Sequence, residues 1–117
     1  MSVHFSTANP DALLTKFNTA IEQPEQKGRI QTWERSADKQ YYTHKAPDWY
    51  KKAWFKPRIE AQRLVFNIVK PQNAAVASVT YGYYHGHLIE TFLNHFNGSF
   101  IDGVASALPT ANDNVGG

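Results

Sequence analysis

The side chains best suited to chemistry in this sequence are three histidines and a glutamate between residues 85 and 95. His87 and Glu90 are spaced by one helical turn, so both can reach a common ion, and His85 precedes them by two residues. Two imidazoles and a carboxylate suit zinc or iron, and an imidazole oriented by a carboxylate can act as a general base. The candidate residues for such a site are His85, His87, Glu90 and His95.

The competing interpretation is that these polar residues form the outward face of an amphipathic helix. The apolar residues of the same stretch gather on the other face, and they are Leu88, Ile89, Phe92, Leu93 and Phe96. The His-Glu-x-x-His spacing of zinc proteases is absent, and the chain has no Cys to supply thiolate ligands. We therefore predict no metal and no cofactor, with a small enzyme or metal protein as a second alternative.

A second set of candidate residues alternates aromatic rings with cations. Residues 27–58 contain nine Lys or Arg and three Asp or Glu, although the whole chain of 117 residues has a net charge of only +2. Rings stack on bases and cations neutralise phosphates, and the same combination suits a protein partner. The candidate binding residues are Trp33, Arg35, Tyr41, Tyr42, Trp49, Tyr50, Lys51, Lys52, Trp54, Lys56 and Arg58.

The number of aromatic residues favours binding over catalysis. Three Trp, six Tyr and seven Phe are more rings than one small core easily hides, although Trp33, Tyr42 and Trp54 are expected to fill part of it. We predict a non-enzymatic binding module that contacts another protein or a second copy of itself. The alternative is single-stranded nucleic-acid binding through residues 33–58, and no membrane partner is expected.

Two helices are predicted from apolar periodicity. Asn9-Pro10-Asp11 is typical of a helix start, and apolar residues then follow at helical spacing until Glu22. The second helix covers His87 to Phe96 and ends at Asn97-Gly98. Between the two helices, the pattern of polar and apolar residues and the turn-forming residues predict strands.

Two hairpins and a short helix are predicted between these helices. The first hairpin joins residues 29–35 to residues 40–44 through a turn at 36–39. The second joins a long strand over residues 58–69 to a return strand over residues 77–84. A short helix is expected at 47–56, because Pro47-Asp48 favours a helix start and Pro57 a stop, and an aromatic-rich loop is the alternative.

These elements predict an α+β fold, a two-layer sandwich in the order α-β-β-(short α)-β-β-α. Both helices are expected on one face of a four-stranded antiparallel sheet. Residues 1–106 are predicted to form a single domain and residues 107–117 a flexible tail. Because no leader-like or membrane-spanning segment is evident, we expect a cytoplasmic location.

The terminal Val115-Gly116-Gly117 resembles the C-terminus of ubiquitin-like and sulfur-carrier proteins, in which a flexible Gly-Gly enters an adenylating enzyme. The resemblance covers two glycines. Proteins of that family open with a β-hairpin, whereas a helix is expected first here. A flexible tail is therefore the interpretation adopted for this end.

Overall fold

The computed structural model describes residues 2–116 and contains one antiparallel sheet of six strands with two helices. In chain order the elements are β1 (Ser2–Ser6), α1 (Pro10–Glu22), β2 (Trp33–Arg35), β3 (Tyr42–His44), β4 (Trp54–Glu60), β5 (Arg63–Val69), α2 (Ser78–Phe96) and β6 (Asp102–Ala105). The strands lie in the order β2-β3-β4-β5-β1-β6. The α+β prediction with an antiparallel sheet is confirmed, and the predicted number of four strands is wrong.

The core lies between the helices and the inner face of the sheet. Phe17 of α1 and Phe92 of α2 each contact Phe66 of β5, with ring centroids 5.7 Å apart in both pairs. Phe17 and Phe92 also contact each other at 4.9 Å, and Phe5 of β1 stacks on Phe92 at 4.1 Å. Both helices therefore share one core, and the burial of these rings is a main source of its stability.

Helix α1 has the predicted bounds. It begins at Pro10 and ends at Glu22, and Leu13 and Phe17 are fully buried at the expected spacing of four residues. The Asn9 side chain makes no capping hydrogen bond, contrary to the usual role of Asn at this position.

Helix α2 is nearly twice as long as predicted, because its first half replaces the predicted return strand over residues 77–84. The β-branched and aromatic residues of that stretch favour a strand when they are considered locally. In the fold, however, Tyr84, Leu88 and Phe92 recur at four-residue intervals and are all fully buried. Tertiary packing on one helical stripe therefore overrides the local preference. The helix ends at Phe96, as predicted.

The first hairpin forms at the predicted place with strands of only three residues each, and the second differs from the prediction. β2 pairs with β3 around the predicted turn at residues 36–39. The expected long strand over residues 58–69 is instead the hairpin β4–β5, with a tight turn at which Gln62 has a φ of 60°.

The predicted short helix over residues 47–56 is not formed. Turns occupy residues 47–51, and β4 begins at Trp54 and continues through Pro57. β3 pairs with β4 only at Tyr42 and Phe55, so Pro57 lies where β4 has an unpaired edge. A proline is tolerated there because the ladder needs no N–H from it on that side.

Strand β1 was not predicted, and it lies between β5 and β6. Val3 pairs with Phe66 on one side and with Ala105 on the other. After β6, the Asn114 N–H donates to the Ile68 carbonyl at 2.8 Å, and the Val76 N–H donates to the Val115 carbonyl at 2.9 Å. The domain boundary at residue 106 stays a prediction, and Gly117 of the terminal pair lies outside the described residues. Neither described helix has the length and apolar character needed to cross a bilayer.

Candidate binding site on the outer face of the sheet

Two of the predicted binding residues are part of the core. Trp33 and Tyr42 are each 1% exposed. The indole N–H of Trp33 donates to the Thr91 hydroxyl at 3.0 Å, and the Tyr42 hydroxyl donates to the Asn18 side chain. Burial raises the pKa of the Tyr42 phenol to about 12. These two rings hold the helices to the sheet and are not accessible to a partner.

Two of the predicted arginines are held in ion pairs with acidic residues of the fold. Arg35 Nη1 lies 2.6 Å from Glu22 Oε1, and Lys39 bonds the other oxygen of the same carboxylate. The hydrogen bond from Arg35 is the main reason that the pKa of Glu22 falls below its usual value. Arg58 pairs in the same way with Glu60. The positive charge of residues 27–58 is therefore partly neutralised.

One loop, residues 45–53, contains four of the predicted binding residues, Trp49, Tyr50, Lys51 and Lys52. Hydrogen bonds with the side chains of Thr43 and Tyr84 hold this loop in place. Thr43 Oγ1 donates to the Ala53 carbonyl and accepts from the Lys51 N–H, both at 3.0 Å. The Tyr84 hydroxyl donates to the Trp49 carbonyl. The Trp49 ring also stacks on the Tyr83 ring at 4.0 Å. Lys51 and Lys52 of this loop are exposed.

The remaining three residues, Tyr41, Trp54 and Lys56, lie on the outer face of the sheet, opposite the core. There Tyr41 and Trp54 are half-buried, with ring centroids 6.5 Å apart and nearly perpendicular planes. They form the floor of a cleft of about 570 Å³ together with Val69, the cross-strand partner of Trp54. This outer-face cleft is lined further by Ala37, Lys70 and Pro71.

One wall of the outer-face cleft is the turn between β2 and β3. The Ser36 N–H donates to the Tyr41 carbonyl at 2.8 Å, and the Tyr41 N–H donates back to Ser36 Oγ at 3.1 Å. Asp38 accepts from the Ser36 hydroxyl at 2.6 Å, and this bond lowers the pKa of the Asp38 carboxyl. Because the turn is closed by these bonds, Tyr41 is held in place before any partner arrives.

The opposite wall is residues 70–72, which follow β5 and contact the end of the chain. The Lys70 N–H donates to the Asn114 carbonyl at 2.6 Å. Gly116 has a φ of 85°, and a Cβ at this position would lie 2.9 Å from Lys70 Cδ and 3.1 Å from Ala75. Glycine is therefore required for this close approach, which holds the stem of Lys70 against the terminal segment.

The outer-face cleft offers free donors and free cations. Neither the Tyr41 hydroxyl nor the Trp54 indole N–H is hydrogen-bonded to any residue from 2 to 116. Lys56 Nζ lies 6.0 Å from the centre of the Tyr41 ring, and neither Lys56 nor Lys70 forms an ion pair with a described residue. A ligand can therefore meet an apolar floor, two donors and two ammonium groups.

The histidine candidates are not gathered into one site. The His87 ring stacks on Tyr83 at 4.0 Å, while His85 is buried and its Nδ1 contacts the Tyr81 carbonyl. Glu90 and His95 are exposed along α2. Within residues 2–116, no three His, Asp or Glu side chains are grouped closely enough to hold a metal ion.

Sequence reasoning did not pair His87 with His44, whose ring lies 5.1 Å away. The two histidines are far apart in the chain, and only the packing of α2 on β3 brings them together. No spacing signal in the sequence points to this contact.

Comparison with known proteins supplies no precedent for the cleft or for the histidine contact, since no family model, no curated protein and no solved structure matches this chain.

Proposed function

We propose that this protein is a binding domain whose outer-face cleft takes an extended segment of a partner protein. The observation that carries the proposal is the pair Tyr41 and Trp54, whose rings are half-buried on the sheet surface and whose polar groups donate no hydrogen bond within the described chain. Aromatic side chains that combine apolar area with a donor are enriched at binding hot spots.

The lining of the cleft defines the chemistry of the partner segment. An apolar side chain of the partner, such as proline, fits the floor formed by Trp54 and Val69. Backbone carbonyls of an extended segment can accept from the Trp54 indole and from the Tyr41 hydroxyl. Lys56 and Lys70 favour acidic residues beside that apolar side chain, because opposite charges across an interface are complementary.

The distribution of cations favours a protein segment over a nucleic acid. A single strand needs a groove in which cations follow the backbone. Here Lys51 and Lys52 lie on the loop over residues 45–53, whereas Lys70 lines the outer-face cleft and Lys56 lies over the Tyr41 ring. Arg35 and Arg58 are already paired with carboxylates. Single-stranded nucleic acid is therefore the alternative ligand, and the binding test must distinguish it from a protein segment.

Replacing Trp54 with Ala is expected to weaken peptide binding at least tenfold. Peptides of about twelve residues with a central proline and acidic flanks would be selected on the wild-type protein, and their dissociation constants measured by fluorescence anisotropy. The expected loss is typical of a buried aromatic anchor. The matched control is Tyr50→Ala, which removes an exposed ring outside the cleft and should change affinity less than twofold.

Two results would contradict this function. Equal affinity of the wild-type and Trp54→Ala proteins for the selected peptides would remove the cleft from binding. Tight binding of a labelled twelve-nucleotide oligo(dT), lost steeply with added salt and on replacing Lys56 and Lys70 with Glu, would assign the cleft to single-stranded nucleic acid instead.

Self-association is a second candidate, and the open edge of β6 favours it. β6 ends the sheet, and the aliphatic side chains of Ile101, Val104 and Leu108 are 83%, 43% and 74% exposed in and around it. An edge strand without lysine or proline readily pairs with another strand, and two identical edges can pair about a twofold axis.

A dimer mass is expected by light scattering at micromolar concentration, and Val104→Lys should return the protein to a monomer. A lysine on an edge strand disfavours pairing with a second edge. Val79→Lys is the control, because Val79 is exposed on the first turn of α2, away from the edge. A strict monomer at high concentration would exclude this candidate.

A further inference from the structure

The His44 imidazole is enclosed by rings, and its Nε2 has no hydrogen-bond partner among residues 2–116. His44 is 2% exposed, and its ring centroid lies 5.0 Å from those of Trp33 and Tyr83, 5.1 Å from that of His87 and 6.1 Å from that of Tyr84. Nδ1 accepts a hydrogen bond from the Ala46 N–H at 3.0 Å. Nε2 is buried and makes no hydrogen bond with any residue from 2 to 116.

The bond from Ala46 determines where the His44 proton lies. Because Nδ1 is an acceptor, the neutral ring must carry its proton on Nε2. A second proton would have to enter at Nδ1, where it would face the Ala46 N–H donor. The protonated ring therefore cannot keep the bond that closes the start of the loop over residues 45–53.

None of the described groups around the His44 ring stabilises the positive charge of its protonated form. The titratable groups in contact with its ring are His87, Tyr83 and Tyr84, all on α2, while β2 contributes Trp33. No carboxylate is among these described contacts. A positive charge on His87 opposes a charge on His44.

We propose that His44 is an acid-sensitive latch, which holds the start of the loop over residues 45–53 on β3 when neutral and releases it when protonated. Release begins at Ala46, whose N–H loses its acceptor. The hydrogen bonds of Thr43 lie further along the loop, so the opening is local. The latch is independent of the outer-face cleft, because the contacts of the His44 ring all lie on the inner side of β3.

The pH range follows from the sign of the linkage. Burial, with a smaller effect of His87, lowers the pKa of His44 from the ordinary 6.5 to about 4 in the closed state. Between these two values the open state binds more protons than the closed state. The closed state is therefore fully favoured above about pH 6.5 and loses stability as the pH falls toward 4. Between pH 7.5 and pH 5 the opening equilibrium should rise roughly 30-fold.

Hydrogen exchange of the full-length protein at pH 7.5 and pH 5.0, corrected for intrinsic rates, tests the latch. The protection of the Ala46 amide should fall roughly 30-fold at the lower pH, while the amides of β5 keep theirs. His44→Gln should abolish this pH dependence, because a glutamine oxygen can accept from Ala46 but takes no proton. His95→Gln is the matched control at an exposed histidine and should keep the wild-type response.

Three results would overturn the latch. They are unchanged protection at Ala46, an equal loss of protection throughout β5, and a His44→Gln protein that keeps the wild-type pH dependence. Should that variant not fold, the imidazole carbon shifts of the wild-type protein decide the question. The ring of His44 must stay in the neutral Nε2–H form down to pH 5, and titration near pH 6.5 would refute the proposal.

Discussion

Replacing Phe92 with Asp is expected to leave the chain unfolded at room temperature. Phe92 is fully buried, stacks on Phe5 and contacts both Phe17 and Phe66. Loss of such a ring alone costs about 3–5 kcal/mol, and the carboxylate would also lie among aromatic side chains without a partner. Because a domain is stable by only about 5–15 kcal/mol, the native state should not persist. Circular dichroism and a thermal melt measure the outcome.

Leu93→Asp is the matched control for this change. Leu93 is the next residue along α2, but it is 51% exposed, so the same charge there should change the free energy of unfolding by no more than about 0.5 kcal/mol. A cooperative, wild-type melt of Phe92→Asp would contradict the described position of the core.

Replacing Tyr84 with Phe is expected to lower the free energy of unfolding by about 1–3 kcal/mol without a change of fold. The hydroxyl of Tyr84 donates to the Trp49 carbonyl, accepts from the Ala53 N–H at 3.4 Å and lies 3.0 Å from Thr43 Oγ1. Its removal leaves the buried Ala53 N–H without a partner among residues 2–116, which costs about 1–3 kcal/mol, while the Trp49 carbonyl keeps its bond from the Lys52 N–H at 3.1 Å. Urea denaturation measures the change.

The control for this hydroxyl is Tyr81→Phe, one turn earlier on α2. The Tyr81 hydroxyl makes an exposed bond to Ser78 at 3.3 Å, so its loss should cost at most about 0.5 kcal/mol. Equal midpoints for Tyr84→Phe and the wild-type protein would show that the loop is held by other contacts, such as the stack of Trp49 on Tyr83.

The elements that sequence predicts correctly are those whose signal is local. Helix α1 has a proline at its start and buried residues at helical spacing, and both its bounds are confirmed. The first half of α2 lacks such a signal, because Val79, Tyr81 and Tyr83 have strand preferences of their own. This segment is helical because Tyr84 and Leu88 are buried along one side of the helix. Which residues lie on that side is known only when the position of the sheet is known.

The candidate site shows the same division between local and distant information. Tyr41 and Trp54 were predicted by residue type, but composition alone did not separate them from Trp33, which lies in the core. Val69 and Pro71 were not among the predicted residues, because they reach the cleft only through the pairing of β4 with β5. The partner of Arg35 was equally invisible, since Glu22 belongs to a preceding helix.

The position of β1 in the sheet has a consequence for biosynthesis. Strand β1 leaves the ribosome before the elements that flank it, yet its neighbours are β5 on one side and β6 on the other. Until those strands are made, Val3 and Phe5 have no sheet to join, and long-range pairing of this kind closes slowly. The nascent chain therefore exposes Val3 and Phe5 until β5 and β6 have been made.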